Sequence, residues 1–73
     1  RAFKSPVDGN EIMRALGLKP GPAVGRLKKA IEEAILEGII PNEHDAAFEY
    51  LMGIKDKVID ECVREYGPRK VFK

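Results

Sequence analysis

The apolar positions of this chain fall into three helical stripes separated by glycine and proline. Ile12, Met13 and Leu16, with Ala15 beside them, recur at three- and four-residue spacing over about two turns. Asp8 stands ahead of this stripe as an N-cap, and Glu11 three residues on fits the reciprocal half of a capping box. Gly17 ends the helix as a residue free to take positive φ. Val24, Leu27, Ile31 and Ile35, flanked by Ala30 and Ala34, predict a second helix over 22–37. Gly21 caps it, Pro22 suits its first position, and Gly38 closes it. Ala47, Leu51, Ile54, Val58 and Cys62 form the third stripe, with Tyr50 beside it. It predicts a helix capped by Asn42, with Asp45 as a weaker box partner, running to about Tyr66 before Gly67-Pro68. Glu43 and Asp45 suit the positive end of its dipole. Gly53 lies inside it, at a cost near 1 kcal/mol, or else divides it in two. No segment alternates as a strand would, and no repeat or low-complexity tract is present.

These elements predict an all-α fold: a small three-helix orthogonal array, or four helices if Gly53 is a break, with a helix–turn–helix hairpin over 8–37. Residues 1–7 read as a linker, 8–66 as a single helical domain and 67–73 as a flexible tail. The expected core is Ile12, Met13, Leu16, Leu18, Val24, Leu27, Ile31, Ile35, Ile39, Phe48, Leu51, Ile54 and Val58. A chain of this length buries only about 60% of its unfolded surface, so that core is thin.

Charge changes the picture more than composition does. The net charge is +1, but it is unevenly spread. Residues 1–30 carry seven Lys or Arg against Asp8 and Glu11, a net of +5. Residues 31–61 carry nine acids against Lys55 and Lys57, a net of −7, and residues 62–73 return to +3. Such asymmetry suits a basic end that meets a polyanion; it is also what an ordinary mixed surface looks like. No apolar run approaches the roughly 18 residues of a membrane span. A single cysteine excludes a disulfide framework. Starting at Arg1, the chain reads as a fragment of a longer protein.

Candidate chemistry is concentrated in Leu16-Gly17-Leu18-Lys19-Pro20-Gly21-Pro22-Ala23-Val24-Gly25-Arg26. The first amides of a helix lack internal partners and can receive an anion. Gly21 and Gly25 remove side chains, so a phosphate backbone can come close, and Lys19, Arg26, Lys28 and Lys29 supply cations. Arg26 and Lys29 share a face with Pro22, and Arg14 on the first helix can join them. The same residues equally make a sharp turn, with Gly25 serving close helix packing, and physics alone leaves the two readings balanced. Cys62 reads as a buried helix residue and His44 as an exposed one. The paired carboxylates Glu32-Glu33 and Asp60-Glu61 read as solvated surface. Two ligands, one Cys and one His, are too few for a structural zinc site. No P-loop, nucleotide-binding glycine loop or Asp-x-Asp pair is present, so no catalytic constellation emerges.

Asp8-Gly9-Asn10-Glu11-Ile12-Met13, followed by Leu16-Gly17-Leu18-Lys19-Pro20-Gly21-Pro22-Ala23-Val24-Gly25, resembles the C-terminal helical region of bacterial CCA-adding tRNA nucleotidyltransferases and related poly(A) polymerases. The stretch Leu36-Glu37-Gly38-Ile39-Ile40-Pro41-Asn42-Glu43-His44-Asp45-Ala46-Ala47 is similar to the same family, closest to members with an HD-type domain between head and tail. The resemblance covers roughly residues 6–52 and leaves 53–73 unmatched. It implies a cytoplasmic, non-catalytic module that holds the tRNA body through Arg14, Lys19, Gly21, Gly25, Arg26, Lys28 and Lys29. It implies no cofactor in this segment; a separate head, with magnesium and CTP or ATP, would add C, C and A to the tRNA 3′ end. Its other partners would be further domains of the parent chain, and no membrane. Two rival readings remain: a structural module packing against a neighbouring domain, and a helix-hairpin DNA-binding domain, which the Pro-Gly-Pro-x-Val-Gly turn loosely resembles.

Overall fold

A computed structural model describes residues 6–73; residues 1–5 of the expected linker lie outside the described residues. The fold is all-α, with α1 over Gly9–Leu16, α2 over Pro22–Leu36 and α3 over His44–Tyr66. A 3₁₀ turn over Pro68–Lys70 follows. Helix α2 is the central element, packing against α1 on one side and α3 on the other, while the 3₁₀ turn packs on α3. No helix is long and apolar enough to cross a membrane among the described residues.

Local chemistry sets most boundaries. Asp8 caps α1 by accepting the Glu11 N–H at 2.9 Å. Gly17 takes φ 67°, and the Leu18 N–H reaches back to the Met13 carbonyl at 3.0 Å. This is the Schellman ending, in which the residue after the left-handed glycine turns inward; Leu18 is fully buried. Helix α2 closes the same way, with Gly38 N–H on Ile35 and Ile39 N–H on Ala34. Helix α3 is one continuous helix of 23 residues, so Gly53 does not break it. Its cap is the extended residue Glu43, not Asn42, and no side chain closes its first turn.

Ile12, Leu18, Leu27, Ile31 and Leu51 are the largest fully buried side chains, each worth about 1.5–3 kcal/mol of burial. Met13, Leu16, Ile35, Phe48, Ile54 and Val58 are partly buried around them. Ile39, expected in the core, is 60% exposed: the helix ending fixes its backbone and leaves its side chain in solvent. Two segments depart further from expectation. Val7, assigned to a linker, is fully buried. Residues 67–73, set apart as a flexible tail, fold back instead: Val71 is fully buried, and Phe72 forms an antiparallel bridge with Leu18.

Candidate nucleic-acid interface

The folded tail clamps the turn between α1 and α2. The Lys19 N–H donates to the Val71 carbonyl at 3.1 Å, and the Lys73 N–H donates to the Gly17 carbonyl at 3.3 Å. Gly21 is extended, and a Cβ there would lie 2.8 Å from the Lys70 carbonyl oxygen. On that side the room left by this glycine is filled by the protein's own tail. At Gly25 nothing lies within 4 Å of a built Cβ, so close helix packing does not explain that glycine. It leaves bare backbone at the surface of α2.

This clamp gathers cations from distant parts of the chain. Lys19, Arg69 and Lys73 line one hollow of about 420 Å³ with Pro68 and Phe72. Lys73 also lines a second hollow of about 320 Å³ with Asn10, Met13, Arg14 and Pro20. Neither lining contains an acidic residue. Arg14, Lys19, Arg69 and Lys73 take part in no ion pair among the described residues. Lys28, half-buried, and Lys29, exposed, are also without an acidic partner among the described residues.

Arg26 is placed differently from the other cations singled out in the sequence. Its Nη2 donates to Glu65 Oε1 at 2.7 Å, its Nη1 lies 4.0 Å from Glu61, and its guanidinium sits 6.0 Å from the Tyr66 ring. The hydrogen bond to Glu65, then that carboxylate's charge, raise its pKa above the ordinary value. Arg26 thus ties α2 to the end of α3. At the start of α2, Pro22 has no N–H, and the Gly25 N–H makes the first regular helical bond, to the Gly21 carbonyl at 3.4 Å. The other first-turn donors belong to the exposed cap Gly21 and to Ala23 and Val24, residues that are 1% and 8% exposed.

Outside this surface, Glu11 does not close a capping box; its carboxylate hydrogen-bonds His44 Nε2. His44 Nδ1 lies 3.4 Å from Asp45 Oδ1, and the ring stacks on Phe48 at 5.9 Å. The sequence marks His44 as exposed but carries no local sign of a pairing across 33 residues. Cys62 is a free, buried cysteine whose thiol pKa is pushed up by burial, the opposite of an activated nucleophile. No group of three or more His, Cys, Asp or Glu among the described residues is placed to hold a metal ion.

Residues 6–51 match the family described as "tRNA nucleotidyltransferase domain 2 putative". The CCA-adding enzyme of Streptococcus thermophilus is 39% identical over 49 residues, covering 67% of this chain and 12% of that protein. The CCA-adding enzyme of Streptococcus suis is 44% identical over 48 residues, 66% of this chain and 12% of that protein. That of Leuconostoc mesenteroides is 48% identical over 40 residues, 55% of this chain and 10% of that protein. The chain thus aligns with about 12% of the length of the first two relatives. No solved structure matches it.

Proposed function

The chain belongs to the tRNA nucleotidyltransferase domain 2 family, and from that premise we propose that it is a non-catalytic module that holds the body of a tRNA for CCA addition. The contact is with backbone phosphates, so the module reads the shape of the RNA rather than its sequence. One observation carries this reading. Arg14, Lys19 and Lys73 line two hollows at the α1–α2 turn that have no acidic side chain in their walls, and these cations make no ion pair among the described residues. Arg14 also shares a third hollow with Glu11. Three cations nearer the acidic segment are paired, Arg26 with Glu65, Lys55 with Asp56 and Arg64 with Asp60, while Lys57 has no ion pair among the described residues. The nucleotide chemistry, with its magnesium ions and CTP and ATP, is carried elsewhere in the parent enzyme. No step of it is assigned to these residues.

Salt dependence tests the reading. Each phosphate contact contributes about 0.7–0.9 to the slope of log K against log salt. The chain is expected to bind tRNA with such a slope, and Lys28→Glu with Lys29→Glu to weaken binding and flatten the slope by about one to two. Absence of tRNA binding by the wild-type chain at low salt would sink the proposal. A second reading, docking against another domain of the parent, is favoured by Leu36 and Ile39. They are 70% and 60% exposed at the end of α2.

A further inference from the structure

The tail that completes the basic surface lies outside the family match, which ends at residue 51. It presents one group that phosphate binding does not use. Phe72 is 40% exposed, whereas Val71 beside it is fully buried. Its backbone is fixed: the Phe72 N–H donates to the Pro68 carbonyl at 2.9 Å, and Lys19 and Lys73 on either side of the bridge are hydrogen-bonded to Val71 and Gly17. The backbone therefore holds Phe72 in the wall of the hollow it shares with Lys19, Pro68, Arg69 and Lys73.

We propose that Lys19, Arg69, Phe72 and Lys73 form a nucleotide subsite, in which one unpaired base of the bound RNA stacks on the Phe72 ring and its flanking phosphates lie against the three cations. The proposal rests on the RNA-holding reading above and adds a preference to it. An aromatic face accepts any base, so the subsite is indifferent to sequence. It does discriminate structure, because a base inside a duplex has both faces covered and only a loop, bulge or end offers one free. An exposed phenyl ring among cations that have no acidic partner among the described residues is suited to such a ligand. A purely apolar partner would leave Lys19, Arg69 and Lys73 to be desolvated unpaired, and a duplex would leave the ring unused.

The chain contains no tryptophan, so Phe72→Trp installs a single indole reporter at the site. Its fluorescence is expected to be quenched by an adenosine hexaribonucleotide and left nearly unchanged by a blunt RNA duplex of the same charge. In the unlabelled chain, Phe72→Leu keeps an apolar side chain at the bridge and is expected to leave the melting temperature in place. It should lower hexamer affinity about five- to 150-fold, as loss of one stacked base does, without changing the salt slope. Arg69→Gln with Lys73→Gln should instead flatten that slope by about 0.7 per lost contact. The subsite is overturned if Phe72→Leu weakens hexamer and duplex equally or neither, or if the duplex quenches the indole as the hexamer does. In those cases tRNA binding by the wild-type chain still stands or falls separately. If no RNA binds the wild-type chain, the RNA-holding reading fails and the subsite with it.

Discussion

His44 is the first residue of α3, where the helix dipole disfavours a positive charge. Its two ring nitrogens nevertheless face Glu11 from α1 and Asp45 beside it, and a neutral imidazole donates from only one nitrogen. The hydrogen bond to Glu11, then that to Asp45, raise the His44 pKa above its ordinary value. A raised folded-state pKa means that the folded chain holds the proton more tightly than the unfolded one. The resulting stability is fully present below about pH 6.5 and fades as pH rises through the higher folded value. His44 is the only histidine, the side-chain type whose ordinary pKa falls in that window. The melting temperature of the wild-type chain is expected to fall as pH is raised from about 6 to 8. His44→Gln should flatten this part of the profile, and Glu11→Gln should remove most of it. A wild-type profile as flat as that of His44→Gln, followed by circular dichroism, would show that the pair contributes nothing.

At the scale of elements, what the sequence reveals depends on how far a signal reaches along the chain. The second helix is legible because Pro22, Gly38 and its apolar stripe are all local marks of start, stop and buried face. Residues 68–73 are too few to display a period, and what holds them is distant backbone: Gly17 and Lys19 carry the matching hydrogen-bonding groups. Val7 fails to stand out for the same reason, as one apolar residue after a proline. The basic surface was half legible. Arg14, Lys19, Lys28 and Lys29 show in the sequence, but the arrival of Arg69 and Lys73 depends on the tail. The neutralisation of Arg26 depends on Glu65, 39 residues away. If the tail is part of the core, Val71→Ala removes buried apolar volume and costs about 2 kcal/mol. For a domain of this size that lowers the melting temperature by about 8–16 °C. A tail that only drapes over the surface would leave the melting curve of Val71→Ala on top of the wild type.

At the scale of the whole molecule, the same charge segregation sets both contact and approach, and distance separates the two. Glu49 lies 18 residues before Gly67 on the continuous helix α3, about 27 Å at 1.5 Å per residue. The long dimension of the molecule is 33 Å, so Glu49 stands nearly its full length from the end of α3 where the tail begins. Its repulsion of a polyanion acts over the Debye length, about 8 Å at 0.15 M salt but about 30 Å at 0.01 M. Residues in contact with phosphate act at both. Glu49→Gln is therefore expected to speed association with tRNA at 10 mM salt and to have almost no effect at 150 mM. Arg69→Gln with Lys73→Gln should slow association and shorten residence at both. Stopped-flow association at the two salt concentrations separates these outcomes. If the α3 substitution changes binding as much at 150 mM as at 10 mM, the acidic half of α3 lies against the RNA, and the orientation that places the turn and tail on the phosphates is wrong.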